Sequence, residues 1–258
     1  MPEGDSIAIA AGRLRPVLVG KQIISVYGTA PSVRANVEHV RGKTVLSIRT
    51  FGKHLVVDMD SGQSIRIHLG MSGRWVVLPA DRRAPGSARL ALTTQDHHAC
   101  CFGAPKLEVG RTPAIEKLVS RLGPDILGVG FEPRELIERA RTRNAGAIAE
   151  VLLDQKVIAG IGNVYKSELL FLVGIHPESP VSSLSDRELL EIASRAKTLL
   201  ASNVRLGGRS TTGERGRGRE TWVYDRAGLA CRRCATAVVR TRLGDRVTYW
   251  CPSCQAPR

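Results

Sequence analysis

The chain has 258 residues, 43% of them hydrophobic, which suffices for one large domain or two ordinary ones with packed cores and excludes wholesale disorder. Lys and Arg number 38 against 24 Asp and Glu, and the net charge of +14 calls for a polyanion, nucleic acid ahead of an acidic membrane. No apolar run is long enough to span a bilayer and no signal pattern opens the chain, so a cytoplasmic protein is expected.

The chain opens Met1-Pro2-Glu3-Gly4-Asp5. Pro2 is small enough for the initiator Met to be removed, which would leave a prolyl secondary amine beside a carboxylate. An α-amino group titrates near pH ~8, so part of it is unprotonated and nucleophilic at neutral pH. Its attack on a sugar aldehyde carbon gives a cationic iminium, the electron sink that an elimination needs. With Met1 retained, the nitrogen is an amide and has no such lone pair. A plain alternative stands beside this: Pro2 starts the chain, and Glu3 sits in a first helical turn, favoured by the dipole. Ile7, Ala11, Leu14 and Leu18 then fall at helical spacing, and Gly20 ends the helix expected over 6–19.

From 22 to 109 the pattern becomes short alternating runs, expected as strands at 22–26, 44–50, 54–58, 64–68, 74–78, 89–93 and 106–109. Seven or eight strands in so short a span point to a β-sandwich. Phe51-Gly52-Lys53-His54 sets a lysine between two of them, where a solvated turn lysine is equally in keeping. His68-Leu69-Gly70-Met71-Ser72-Gly73 is a turn with an apolar tip. Met71 reads either as a core methionine or as a wedge for a base stack.

Gly110, Pro113, Gly123 and Pro124 mark a boundary, beyond which helices are expected at 114–122, 132–142, 146–154, 163–173 and 184–205. The last starts with Ser185 and Glu188 at capping-box spacing. Between two helices, Gln155 to Asn163 includes Gly160-Ile161-Gly162-Asn163, a tight turn that presents N–H groups and an amide at a helix start, suited to a phosphate. Residues 203–220 are rich in Gly, Arg and Thr and lack periodicity, as a mobile basic loop or a plain linker would.

Cys231-Arg232-Arg233-Cys234 and Cys251-Pro252-Ser253-Cys254 are two C-x-x-C pairs separated by sixteen residues. This spacing closes a tetrahedral zinc site on two knuckles, with a hairpin between them turning at Gly244-Asp245. All four positions are protein sulfur, so one zinc would be structural and leave no open coordination site. Arg246 stands on the returning strand, as a surface arginine or a phosphate contact.

In this order, Pro2-Glu3-Gly4, Gly52-Lys53, His68–Gly73, Gly160–Tyr165, Trp222–Gly228 and the four-cysteine ribbon with Arg246 resemble the formamidopyrimidine-DNA glycosylase/endonuclease VIII family of bacterial DNA repair enzymes, over essentially the whole chain. The resemblance implies an α+β fold: an N-terminal helix with a two-layer β-sandwich (1–122), a helix–two-turns–helix region (123–220) and a zinc ribbon (221–258). It implies base excision followed by β,δ-elimination on double-stranded DNA with oxidised bases or abasic sites, by a monomer near the nucleoid. Pro2 would be the nucleophile at C1′ and Glu3 the general acid/base. Lys53 would hold a phosphate near the lesion and support the lyase step, and His68 would belong to the DNA-binding surface. Asn163 and Arg246 would clamp the flanking phosphates, with Arg246 also in the catalytic set. Met71 would fill the duplex, since such enzymes evert the base. Cys231, Cys234, Cys251 and Cys254 would hold the zinc.

Two departures from the family pattern carry information. Ser6, next to Asp5, stands where a second carboxylate is usual, which puts a catalytic role for that carboxylate in doubt. Cys100-Cys101-Phe102-Gly103 has cysteine where the 8-oxoguanine-directed branch carries a cytosine-reading arginine, which favours the endonuclease VIII-like branch and oxidised pyrimidines. An 8-oxoguanine-directed glycosylase of the same family and a non-catalytic damage-binding paralogue are alternatives. The pair Pro2-Glu3 argues against the latter. An RNA- or ribosome-associated protein would call for stacking aromatics, and aromatics are 4% of the chain.

Overall fold

The structure is a computed structural model and describes residues 1–257. The chain divides into two compact units, Met1–Arg121 and Leu122–Arg258.

The first unit begins with α1 (Gly4–Leu18), whose Ile7, Ala11, Leu14 and Leu18 form one buried stripe. Then follow β1 (Ser25–Tyr27), the single turns α2 (Pro31–Arg34) and α3 (Val37–Val40), and seven strands: β2 (Val45–Phe51), β3 (His54–Met59), β4 (Gln63–His68), β5 (Arg74–Pro79), β6 (Leu90–Thr93), β7 (His97–Phe102) and β8 (Lys106–Arg111). They pair antiparallel in two four-stranded sheets, β2-β3-β4-β8 and β1-β6-β7-β5. Inward residues of both sheets, Ile65 and Ile67 from one and Leu90 and Leu92 from the other, share one core with α1. Each such side chain contributes about 1.5–3 kcal/mol on burial. The outer face of the first sheet is covered by α4 (Thr112–Val119), whose Ile115 and Val119 pack on Val56.

Strand β7 is absent from the runs expected from sequence, because His97-His98-Ala99-Cys100-Cys101-Phe102 carries no β-branched residue. It is nevertheless interior to its sheet, between β6 and β5. The short helices at 31–40 were also not expected; Pro31 opens the first of them at its N-terminal position.

The second unit contains α5 (Arg134–Arg141), α6 (Ile148–Val151), α7 (Asn163–Val173), α8 (Asp186–Leu206) and the antiparallel hairpin β9 (Val239–Leu243) and β10 (Arg246–Trp250). The helix expected at 146–154 is one turn, because Asp154 Oδ1 accepts the Lys156 N–H (2.9 Å) and bends the chain into the following turn. Helix α7 is buried on every side from Asn163 to Phe171, which makes it the axis of the unit. Helix α8 starts at a complete capping box of Ser185 and Glu188 and runs to Leu206, where Gly207 takes the left-handed conformation. Among the described residues no helix is long and apolar enough to cross a membrane.

Candidate active site and nucleic-acid interface

Glu3 is the N-cap of α1, with extended backbone (φ −130°, ψ −173°), and its carbonyl accepts the Ile7 N–H (3.1 Å). Its side chain is fully buried, yet makes no cap hydrogen bond to the helix. The ordinary use of an acidic residue at this position is therefore not the one found. Pro2 precedes it, half-buried, and α1 packs against β2 and β3 of one sheet and β5 and β7 of the other, so the N-terminus is carried on a fixed element. Asp5 is also fully buried, and its Oδ1 accepts from the backbone N–H (2.6 Å) and hydroxyl (3.1 Å) of Ser6.

Lys53 stands in the two-residue turn that joins β2 to β3, where Gly52 supplies the positive φ of 55° and Phe51 pairs with His54. His54 pairs in turn with His68 on β4, and His68 with Lys106 on β8. A row of cationic or imidazole side chains thus lies along one end of this sheet. Burial, then the neighbouring His68, Arg66, Lys106 and Lys53, push His54 down to about 3. Burial and the same cations, Lys53 first, lower His68 too. Both imidazoles are neutral at neutral pH and act by hydrogen bonding; His68 Nδ1 accepts the Gly70 N–H (3.2 Å).

That contact shapes the turn carrying Met71. Gly70 has φ +63°, and the Gly73 N–H closes on Leu69 O (2.9 Å). A Cβ on Gly73 would stand 2.2 Å from Leu69 O, so glycine is required there. Met71 is 63% exposed at the tip, which settles against a core methionine.

In the second unit, Asn163 is the first residue of α7, after a turn in which Gln155 Nε2 donates to Leu153 O and Ile161 O while its Oε1 accepts the Gly160 N–H. Asn163 Nδ2 donates to Val247 O (2.8 Å), next along the chain from the exposed Arg246 at the start of β10. The structure therefore brings Asn163 and the Arg246 strand together, whereas Pro2, Glu3, Lys53, His68 and Met71 all belong to the first unit.

The sulfurs of Cys231, Cys234, Cys251 and Cys254 lie within 4.8 Å of one another, and the Arg233 N–H points to the Cys231 sulfur (3.4 Å) as in a metal knuckle. Four thiolates at this spacing fit one structural zinc. Buried Gln255 ties the cluster to the end of α7: its Oε1 accepts the Cys251 N–H (2.9 Å) and its Nε2 donates to Ile175 O (2.8 Å).

Sequence reading missed Glu168. Deep in α7, it accepts the backbone N–H groups of Trp222 (2.7 Å), Val223 (2.9 Å) and Tyr224 (2.8 Å) and the hydroxyl of Thr211. Burial pushes its carboxyl upward, and these four donors pull the other way. Asn203 adds a second staple, its Oδ1 accepting the Ser210 N–H (3.0 Å). The Gly/Arg-rich segment is thus pinned at both ends, and its first four residues belong to α8.

Three family models match in sequence order: the formamidopyrimidine-DNA glycosylase N-terminal domain at residues 1–107, the H2TH domain of the same enzyme at 122–214, and the zinc finger found in FPG and IleRS at 228–257. The chain belongs to the formamidopyrimidine-DNA glycosylase/endonuclease VIII family. Within this family it is 40% identical to a probable endonuclease 8 2 of Streptomyces coelicolor, over 99% of this chain and 94% of the relative. It is also 40% identical to the DNA-(apurinic or apyrimidinic site) lyase Nei2 of Mycolicibacterium smegmatis, over 99% of each. The Lactococcus lactis formamidopyrimidine-DNA glycosylase, solved with DNA containing an oxidised pyrimidine, superposes with a TM-score of 0.87 at 26% identity, over 99% of this chain and 100% of that one. As a family member, the chain has an α+β architecture of helix and sheets, H2TH region and zinc finger.

Proposed function

We propose that the protein is a bifunctional DNA glycosylase and abasic-site lyase of base excision repair, acting as a monomer in the cytoplasm on oxidised bases in duplex DNA. The observation that carries this is the buried Glu3 carboxylate, placed beside Pro2 and not used to cap α1. After Met1 removal the Pro2 nitrogen attacks C1′. The N–C1′ bond forms as the glycosidic bond breaks, the base leaves with a proton, and the sugar ring opens to an iminium, with Glu3 moving protons at the sugar. Loss of a C2′ proton expels the 3′ phosphate, a second elimination expels the 5′ phosphate, and hydrolysis frees the amine. Lys53 holds a phosphate near the lesion and supports the lyase step, and Asn163 and Arg246 clamp the flanking phosphates. His68 belongs to the DNA-binding surface, and Met71 fills the gap in the stack.

The division of labour follows residues 1–122, 123–220 and 221–258 as catalytic, helix–two-turns–helix and zinc-ribbon modules. Oxidised pyrimidines are the favoured lesions. Cys100 and Cys101 are both fully buried on β7, and no arginine stands between His97 and Ala104 to read an orphaned cytosine. The lyase name of the Mycolicibacterium smegmatis relative supports the elimination chemistry.

Borohydride trapping of Met-processed protein tests this, on a duplex with an abasic site and on one with an oxidised pyrimidine. A stable adduct mapping to Pro2 on both is expected. Damage-dependent binding with no adduct on either would overturn the enzyme in favour of a silent damage binder.

A further inference from the structure

We propose that Lys166 is a positioning residue that fixes Asn163 as a hydrogen-bond donor for a DNA phosphate. The proposal rests on the reading of Asn163 as a phosphate ligand. Lys166 lies one turn along α7 from Asn163, on the same face, and is fully buried. Its Nζ donates to Asn163 Oδ1 (2.8 Å), Thr248 Oγ1 (2.6 Å) and Val247 O (3.3 Å). Two of these oxygens lie on the strand that begins with Arg246.

A carboxamide is ambivalent, an acceptor at one end and a donor at the other, and its two ends are nearly the same size. An ammonium has only hydrogens to offer. It therefore selects the amide orientation with Oδ1 toward itself, since the flipped amide would set Nδ2 hydrogens against Nζ. From the other side Val247 O demands the same orientation by accepting from Nδ2 (2.8 Å). The Nδ2 group carries two hydrogens, and Val247 takes one of them. The second is the kind of group that a phosphate, which has only acceptors, can use. An amide with its oxygen outward would repel the same phosphate. Burying an ammonium is costly unless it is well paired, and a methionine would fill this volume without that cost. The Lys166 ammonium selects the amide orientation at Asn163 and ties the helix bearing it to the strand of Arg246.

The test measures binding of the full-length, zinc-loaded protein to a duplex with a tetrahydrofuran abasic analogue. Asn163→Ala, Lys166→Met, Lys166→Gln and the double variant Asn163→Ala/Lys166→Met are compared. Lys166→Met and Asn163→Ala are each expected to weaken binding by about tenfold, and the double variant no further than Asn163→Ala alone. Lys166→Gln keeps a donor for Oδ1 without the charge and is expected to stay within about threefold of wild type. Lys166→Leu replaces Lys166→Met if the latter does not load zinc. Independent, additive losses in the double variant would overturn the proposal. So would a Lys166→Gln loss as large as that of Lys166→Met, which would assign the effect to charge. Full affinity in Asn163→Ala would instead remove Asn163 as a phosphate ligand, an outcome that Lys166 cannot produce.

Discussion

His54 and His68 face each other across β3 and β4 with ring centroids 4.8 Å apart, and both stay neutral because burial and the surrounding cations oppose a further charge. The consequence is a pH dependence of stability. His54 has a folded value of about 3 against 6.5 in the unfolded chain. Above the upper value both states hold a neutral ring. Between the two, the unfolded chain takes up a proton that the folded protein refuses, so stability falls as pH drops, by up to about 1.4 kcal/mol per pH unit. Below the lower value the slope vanishes. Melting temperatures across this window should fall less steeply for His54→Leu than for wild type; equal slopes would show that His54 is not the group responsible.

Glu168→Gln replaces one acceptor oxygen with an N–H donor where four donors converge, so at least one backbone N–H is left facing another. A loss of about 2–3 kcal/mol in unfolding free energy is expected. Hydrogen exchange should localise it, with the amides of Trp222, Val223 and Tyr224 losing protection ahead of those in α8. Uniform loss of protection would mean that Glu168 supports the whole unit rather than this segment.

Cys251→Ser removes one of four sulfurs, and the adjoining N–H is the one held by Gln255. Zinc content should drop from one per chain toward none, and binding to abasic duplex should fall by at least tenfold, since ribbon folding is coupled to the metal. Chelation of the wild-type protein should reproduce both changes. Full binding by a metal-free preparation would separate the ribbon from DNA recognition.

Arg246→Ala should leave the melting temperature unchanged, because the residue is exposed on β10. The slope of log affinity against log salt should decrease in magnitude by about one, equally for all duplex sequences. A loss confined to certain sequences would make Arg246 a reader of bases.

What sequence could and could not convey divides along a physical line. The zinc ligands, the α1 stripe and the Gly160–Asn163 turn were legible because spacing along the chain specifies each of them locally. Lys166, Ser167 and Glu168 are of residue types mostly found at protein surfaces, yet all three are fully buried. Their partners lie at 211, 222–224 and 247–249, and no periodicity announces a pairing at such separations. Strand β7 lies outside the runs expected from alternation, because small and sulfur-containing side chains carry little intrinsic strand signal. Cys100 and Cys101 themselves read most simply as strand-core or buried thiols, and are found so. The chemistry proposed for Pro2 and Glu3 comes from the family resemblance, since those residues alone equally fit a plain chain start and first helical turn. That Glu3 does not cap its own helix needed coordinates.

The turn from Leu69 to Gly73 separates two kinds of constraint within five residues. Met71 is largely exposed at the tip, so many replacements there should express and melt as wild type does. Gly73, which offers no side chain to any ligand, sits against Leu69 O too closely for a Cβ, and Gly70 would meet Pro105 at 2.6 Å. A saturation scan of this turn should therefore yield two maps that disagree: one for abundance, intolerant at the glycines and indifferent at the tip, and one for repair, in which the tip matters as well.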